Sequence, residues 1–322
     1  LYTPLKPPEG WMATRGTATQ ANRLVAADPW DGRPSRQHHF LSLLRMRCPR
    51  AEIRDLSPIL DGLRALKSPR EVDLLRRAGR LTAIAVTEAM RATAPGMVEY
   101  QLGAIAEYVY RLHGARGEGY RPIIASGPNA WHGHYWRNNR VMADGDLVLM
   151  DVAPDLGYYT SDIGRMWPVN GTYSPRQRQL YGFMVAYHKA LLALLGPGKT
   201  AEGILETAAA EMAKVVDATA WSKPVYEQAA RNALEFKGHL SHPVGMAVHD
   251  DGRYRDAPLR PGVVLSVDPQ LRVPEEKLYI RCEDTVAITD DGIENLTAAA
   301  PLDLDAVEAT MAEDSPFPMS WD

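Results

Sequence analysis

Cysteine is nearly absent from this chain, and long apolar runs are missing. The 322 residues include only Cys48 and Cys282, which excludes a disulfide framework and a cysteine-based zinc site and leaves one disulfide as the only possible pairing. No apolar run approaches the roughly 18 residues of a membrane-spanning helix. The net charge is −4, whereas phosphate binding needs a basic surface. We therefore expect no membrane and no nucleic acid among the main partners.

The composition is that of a globular enzyme, with 45% hydrophobic and 24% charged residues. The length allows one large domain or two ordinary ones. Because the chain opens at Leu1 and not at methionine, we expect that something upstream was removed or omitted, and a signal peptide is one candidate. The compartment, whether cytoplasmic, periplasmic or secreted, therefore stays open.

The first part of the chain predicts little regular structure before a short strand at 51–57 and an apolar helical stretch at 59–66. Prolines interrupt any periodicity there, at Pro4, Pro7, Pro8, Pro29 and Pro34. From residue 67 the chain becomes regular, which indicates that the main domain begins near this point.

Two parts of the main domain repeat one pattern. Ser68-Pro69-Arg70-Glu71 and Ser174-Pro175-Arg176-Gln177 are both capping boxes with proline at the first helical position. Each predicts a long helix, and a second predicted helix follows each one. A hairpin then begins with an apolar strand that ends in an aspartate, Asp151 or Asp268. The repeat predicts a two-fold-related α+β domain with the site between its halves.

Side chains that commonly bind metals accompany both hairpins. Asp151 and Asp162 are equidistant from a turn centred on Leu156-Gly157, so an antiparallel ladder would set their Cβ atoms about 4.5–5.5 Å apart. Asp268 and Glu283 are likewise equidistant from residues 275–276. Bare carboxylates so close would repel each other, and a cation between them removes that penalty.

The complete candidate ligand set consists of four carboxylates and one imidazole: Asp151, Asp162, His242, Asp268 and Glu283. Such an oxygen-rich set suits two divalent cations better than a structural zinc. Two cations about 3.5–4 Å apart can activate a water, which makes hydrolysis the leading hypothesis. A single hairpin aspartate is usually turn chemistry or surface charge. However, two acids that each continue a buried strand are unfavourable unless they are paired or metal-bound.

Several motifs resemble those of the "pita-bread" metallopeptidases, the family of aminopeptidase P and prolidase that also includes methionine aminopeptidase and creatinase. The resemblance extends over residues 67–301 and implies the pita-bread α+β fold and a homodimer. Matching motifs in matching order make it specific. The segments that carry it are Lys67–Glu71, Leu149–Ala153, Thr160–Arg165, Gly238–Gly245 with Val248–Asp250, and Ile280–Asp284.

The resemblance implies a metal role for each ligand. Asp151 would chelate one metal, and Asp162 and Glu283 would bridge both. His242 and Asp268 would hold the second metal. Mn²⁺, Co²⁺ and Zn²⁺ all fit, and the oxygen ligands favour Mn²⁺. A hydroxide that bridges the metals would attack the scissile carbonyl, and Asp268 would carry the proton to the leaving nitrogen.

Three further residues receive roles from the same resemblance. His134 would lie near the substrate amide, and His249 would steady the tetrahedral intermediate. Arg281 would pair with a ligand carboxylate and fix its orientation. The implied activity is hydrolysis of small peptides with proline after the scissile bond, as an Xaa-Pro amino- or dipeptidase.

The sequence also departs from the family pattern. Asp268 stands where the family has glutamate, Gly164 replaces a threonine, and Gln270-Leu271-Arg272 replaces the usual glycine and tyrosine. These departures keep open another reaction on the same scaffold, such as creatinase-like C–N hydrolysis or metal-dependent lyase chemistry. A non-catalytic binding module is the third alternative, although every ligand position keeps a side chain able to bind metal.

The resemblance also suggests a division of the chain. We expect residues 1–66 to form a reduced amino-terminal accessory segment, 67–310 the catalytic domain and 311–322 a carboxy-terminal tail.

Overall fold

The computed structural model describes residues 1–9, 14–252, 254–255 and 257–317, and these mix helices and strands as the α+β class requires. The helices are α1 (Arg15–Ala27), α2 (Arg36–Arg47), α3 (Ser57–Ala65), α4 (Pro69–Ala92), α5 (Glu99–Leu112), α6 (Pro175–Leu194), α7 (Ala201–Ala218), α8 (Pro224–Glu235) and α9 (Leu304–Met311). The strands are β1 (Tyr2–Thr3), β2 (Arg54–Asp55), β3 (Ile123–Ser126), β4 (Leu147–Asp151), β5 (Ile163–Pro168), β6 (Val264–Val267), β7 (Gln270–Val273), β8 (Leu278–Arg281), β9 (Glu283–Ile288) and β10 (Ile293–Asn295). None of the helices in these ranges is long and apolar enough to cross a membrane.

One six-stranded sheet joins the two halves of the main domain. Its order is β10-β9-β5-β4-β3, and β6 pairs with β9 outside this path. Strand β5 comes from the first half and β9 from the second, and their antiparallel pairing sets Gly164 opposite Glu283. The two halves therefore meet inside one sheet, which brings the acids of both hairpins into the same region.

The two predicted capping boxes are confirmed. Ser68 caps α4 and Ser174 caps α6, and in each case the side chain three residues later bonds back to the backbone of the cap. The second predicted helices correspond to α5 and α7. The repeat is incomplete, however, because α8 is an additional helix that follows α7 in the second half and that the repeat did not predict.

The prediction of little regular structure in the first part was wrong. Helices α1 and α2 occupy much of it, capped by Thr14 and Ser35. Proline does not prevent them, since Pro29 and Pro34 fall between the two helices. Helix α1 buries none of its residues and α2 buries only Leu41, so neither helix carries the run of buried apolar positions that predicted α4. The predicted strand at 51–57 shrinks to β2, which pairs with β1.

The division of the chain at 66/67 and 310/311 stays a prediction, and residues 318–322 of the expected tail lie outside the described part. Both cysteines are free thiols, which settles the disulfide left open by the sequence. Cys282 is fully buried in the core.

The first hairpin differs from its prediction by one residue. Leu156 pairs with Tyr159, so the two central turn residues are Gly157 and Tyr158, both with positive φ, as a tight two-residue hairpin turn requires. The ladder consequently sets Asp151 opposite Gly164 and not opposite Asp162. The prediction that Asp151 and Asp162 face each other across the ladder is therefore wrong, and the two acids are diagonal neighbours.

The second hairpin has the predicted register. Val267 pairs with Asp284 and Gln270 pairs with Arg281. Both ladders follow one register, in which Asp268 is opposite Glu283. The predicted centre at residues 275–276 is therefore confirmed.

A buried glutamate anchors the loop that carries His134. The Glu99 carboxylate, which is 0% exposed, accepts hydrogen bonds from the Ser126 and Arg140 backbone amides at 2.7 and 3.1 Å. It also accepts a hydrogen bond from the Tyr135 hydroxyl at 2.9 Å. Residue 135 follows His134 directly, so Glu99 fixes the backbone next to a predicted site residue.

Helix α4 depends on a glycine for its close approach to the chain near residue 296. A Cβ built on Gly79 would lie 2.3 Å from the Leu296 carbonyl oxygen, whereas a Cβ on Gly62 in α3 meets no described atom within 4 Å. We expect Gly79→Ala to lower the free energy of unfolding by about 1–3 kcal/mol. The matched control Gly62→Ala should raise it by about 0.5–1 kcal/mol. Urea unfolding measures both, and equal effects would contradict the close packing of α4.

Replacing Glu99 by glutamine turns one acceptor into a donor that faces other donors. We expect Glu99→Gln to reduce the free energy of unfolding by about 2 kcal/mol, since bonds to a charged group are lost in a buried setting. Glu107→Gln on the same helix is the control, because Glu107 is half exposed and its ion pair with Arg111, at 3.3 Å, lies at the surface. This variant should change the free energy of unfolding by less than about 0.5 kcal/mol. Similar losses in the two variants would show that Glu99 does not anchor the loop.

Candidate metal centre

The predicted ligands and the predicted catalytic residues all line one cavity of about 330 Å³. Both halves of the domain contribute to its walls: strand β4 and Asp162 come from the first half, and β7, β8 and the first residue of β9 come from the second. The residues that the sequence placed in the site are Asp151, Asp162, His242, Asp268, Glu283, His134, His249 and Arg281, and all of them are present there.

Three of the candidate ligands converge most closely. Ligand atoms of Asp162, His242 and Glu283 all lie within 4.8 Å of one another. His242 Nδ1 is 3.2 Å from the Pro243 carbonyl oxygen, and His242 Nε2 lies 3.3 Å from Asp162 Oδ2. With Nδ1 donating to that carbonyl oxygen, Nε2 is the nitrogen that would bind a cation beside the Asp162 and Glu283 carboxylates.

The other two candidate ligands contact Arg281. Its guanidinium forms an ion pair with Asp151, and its Nε lies 3.7 Å from Asp268 Oδ1. Arg281 Nη1 is also 3.5 Å from Glu283 Oε2. Arg281 therefore orients three of the four carboxylates, whereas Asp162 faces His242.

The four carboxylates are crowded and largely shielded from solvent. Asp151, Asp162 and Glu283 are 4%, 3% and 1% exposed, and the side chain of Asp268 is 7% exposed. Burial, with Glu283 and Asp151 nearby, raises the pKa of Asp162 well above its usual value. Burial and the charge of Glu283 raise the pKa of Asp268 in the same way. Either protons or cations must offset this charge.

The unfilled hydrogen-bonding capacity of the site favours cations. Asp268 Oδ1 and Glu283 Oε2 are buried and accept no hydrogen bond from any described residue. Among the same residues, Arg281 is the only lysine or arginine within ion-pair distance of the four acids. An oxygen-rich set with one imidazole and unused buried lone pairs fits divalent metal ions.

Sequence reasoning missed the hydroxyl groups that fix the ligands. The Tyr120 hydroxyl lies 2.5 Å from Asp151 Oδ1 and 2.7 Å from Asp162 Oδ1, and burial beside these acids raises its pKa, so it remains a donor. Ser266 donates to Glu283 Oε1. Ser266 precedes Asp268 by two positions on a strand, so period-two alternation could have found it. Tyr120 carries no such signal.

A buried network lies behind Glu283. Asp284 contacts Arg165 Nη2 at 2.7 Å, His188 Nε2 at 2.8 Å and Thr297 Oγ1 at 2.5 Å. Although burial opposes ionisation, Arg165 and His188 hold the pKa of Asp284 well below its usual value. Since Asp284 and Arg165 belong to neighbouring strands, this network fixes the strand pair that presents Glu283.

The predicted catalytic histidines stand together at the cavity wall. The ring of His249 packs edge-on against His242, with centroids 4.2 Å apart, and lies 5.7 Å from the ring of His134. Desolvation lowers the pKa of His134, so its imidazole is neutral near pH 7. Asp250, the residue after His249, has its Oδ2 3.2 Å from Lys67 Nζ. This ion pair links the loop that carries His249 to the segment before α4.

Two departures from the family pattern meet beside Arg281. A Cβ built on Gly164 would lie 3.0 Å from Glu283 Cβ and 3.1 Å from Arg281 Nε. Gln270 Nε2 donates to Asp268 Oδ2 at 2.7 Å and holds the shorter acid in place. Because residue 164 is glycine, no side chain fills the space between the acids, and the Arg281 guanidinium occupies it.

Comparison with known proteins agrees with this architecture. The chain is 38% identical over 271 residues to Xaa-Pro aminopeptidase of Escherichia coli strain K12, which covers 80% of this chain and 62% of that protein. Xaa-Pro aminopeptidase 3 of Mus musculus is 34% identical over 270 residues, with coverages of 80% and 53%. The chain thus spans less than two-thirds of these relatives.

Solved structures show the same fold. The structure of a putative aminopeptidase P from Bacillus anthracis matches with a TM-score of 0.76 at 29% identity, covering 90% of this chain and 68% of that one. This likeness confirms the predicted pita-bread α+β fold. The model of metallopeptidase family M24 matches residues 73–290, which is most of the described main domain. The chain therefore belongs to metallopeptidase family M24.

Proposed function

We propose that this chain is a metal-dependent peptidase that cleaves small peptides before a proline, as an Xaa-Pro amino- or dipeptidase. The observation that carries the proposal is the convergence of Asp162, His242 and Glu283 beside Asp151 and Asp268 in one cavity. The names of the relatives support the proline preference. Because the chain spans only part of those proteins, activity and substrate are inferred for this chain and not transferred. A homodimer remains part of the proposal.

The five candidate ligands would hold divalent cations. Asp151 would bind one cation, Asp162 and Glu283 would bridge two, and His242 and Asp268 would bind the other. Among Mn²⁺, Co²⁺ and Zn²⁺, the four carboxylates favour Mn²⁺. When bound, such cations polarise a scissile carbonyl and lower the pKa of water.

The protein's own groups position the substrate and move the proton. Neutral His134 can donate a hydrogen bond to the substrate at the cavity wall, and His249 supports His242 by ring packing. Asp268 is held through Oδ2 by Gln270, which leaves Oδ1 as the oxygen that would take a proton from the attacking water and pass it to the leaving nitrogen. Arg281 holds Asp151 and limits the movement of Asp268.

The first test combines metal binding with peptide cleavage. We expect the protein to release Xaa from Xaa-Pro peptides with Mn²⁺ and to lose this activity in a chelator. Asp162→Asn should lower kcat/KM by more than about 100-fold, since changes one layer further from a metal already reduce affinity or activity 10–100-fold. Calorimetric titration should show weakened Mn²⁺ binding in the same variant.

Asp217→Asn is the matched control, because Asp217 is exposed and forms an ion pair with Arg231 at the surface. It should keep native activity and metal binding. A native protein that binds Mn²⁺ but cleaves no Xaa-Pro peptide would overturn the proposed function. Failure to bind any divalent cation would instead support the binding-module alternative.

The length of the acid at 268 tests the reaction class. We expect Asp268→Glu to lower kcat/KM on Xaa-Pro peptides by about tenfold or more, because an added methylene displaces the carboxylate from Gln270 and toward Arg281, and misplacement by about 1 Å can reduce rates 100-fold. The measurement is steady-state kinetics at saturating Mn²⁺. A gain in peptide cleavage would mean that the native site is adapted to another reaction, such as C–N hydrolysis of an amidine.

A further inference from the structure

One positively charged side chain in the cavity, that of Arg272, has no role in the metal centre. Strand β7 alternates exposed and buried residues, so Gln270 and Arg272 share one face while Leu271 and Val273 are buried in the core. Gln270 and Arg272 both line the cavity. Arg272 belongs to the stretch that departs from the family pattern, so the family gives it no established role.

Two aromatic rings hold the Arg272 guanidinium. Its Cζ lies 4.4 Å from the ring centroid of Tyr279 and 5.4 Å from that of Trp131. Ring contacts of this kind use the face of the guanidinium and leave its N–H groups available at the edge. No described residue forms an ion pair or hydrogen bond with the Arg272 guanidinium, in contrast to Arg281, which contacts three acids. Arg272 is therefore a pre-positioned cation with donors available to a ligand.

The matching ligand chemistry is a carboxylate. A planar guanidinium binds a carboxylate through two parallel hydrogen bonds, and a stacked arginine is already oriented to do so. The amino end of a peptide substrate carries an ammonium group, which Arg272 would repel. The anionic group must accordingly lie on the leaving side of the scissile bond.

The position of Arg272 along β7 sets the distance between the scissile bond and the carboxylate that Arg272 would bind. Gln270 contacts Asp268, and Arg272 is two residues further, or roughly 6.6 Å along a strand. An extended peptide covers about the same distance in two residues. We propose that Arg272 binds a substrate carboxylate one or two residues beyond the scissile bond and so selects di- and tripeptides with a free carboxy terminus. This inference rests on the proposed function.

The test compares acid and amide forms of one substrate. We expect kcat/KM for Ala-Pro-Ala to exceed that for its carboxamide by about tenfold, which corresponds to one well-placed charged contact, with most of the difference in KM. Ala-Pro-Glu carboxamide separates the two possible carboxylates. If it is cleaved as well as the acid, a side-chain carboxylate is equally accepted; if it behaves as the amide, the terminal carboxylate is required. Either result supports a carboxylate site.

Variants assign the preference to Arg272. Arg272→Gln should reduce the acid-to-amide ratio to near one because cleavage of the acid falls more than cleavage of the amide, and Arg272→Lys should retain part of the preference. Arg47→Gln on α2 removes the same charge from an exposed helix and should leave the ratio unchanged. A purely packing role between Trp131 and Tyr279 would instead lower acid and amide cleavage together, which would overturn the inference.

A binding measurement separates this inference from the proposed function. Calorimetry with Pro-Ala and its carboxamide needs no turnover, and we expect the acid to bind about tenfold more tightly to the native protein but not to Arg272→Gln. Cleavage of acid and amide at equal rates would refute the role of Arg272 and leave the peptidase assignment standing. No cleavage, together with Arg272-dependent binding of the acid, would refute the peptidase assignment and keep the carboxylate site.

Discussion

Four carboxylates share one largely buried space with the guanidinium of Arg281. The surrounding structure follows from that constraint. Like charges brought so close raise one another's pKa and destabilise the fold unless cations or protons intervene. Arg281 offsets part of the charge by contacting Asp151, Asp268 and Glu283. The remaining excess of negative charge is what makes the cavity a candidate site for divalent cations.

One strand pair of the sheet, β5 with β9, brings the acids of the two halves close together. Where β5 meets β9, Gly164 faces Glu283 and Ile163 faces Asp284, so acids that are distant in sequence become neighbours. The Thr285 hydroxyl reinforces the same junction by accepting a hydrogen bond from the Asp162 amide at 2.7 Å. Charge repulsion at the centre is thus opposed by backbone pairing and by the buried network in which Asp284 contacts Arg165 and His188.

The sequence predicted those features that depend on local periodicity or on symmetry about a turn. The capping boxes of α4 and α6 and the register of the second hairpin are of this kind. The first hairpin was displaced by one residue because Tyr158 adopts a positive φ, which is uncommon for an aromatic residue and has no signal in the sequence. Helix α1 was missed because it buries nothing. Tyr120 reaches the acids only through tertiary packing, and no local pattern could reveal it.

The departures from the family pattern act on one wall of the cavity. Asp268 is one methylene shorter than glutamate, and Gly164 lacks a side chain that would press on Arg281 and Glu283. Both changes open space around the guanidinium without removing a ligand oxygen. On the same wall, Gln270 takes up an oxygen of the shorter acid, and Arg272 adds a stacked cation. The ligand set keeps its charge while the wall becomes more polar and more positive, and this is the wall on which the proposed selection of a substrate carboxylate by Arg272 would act.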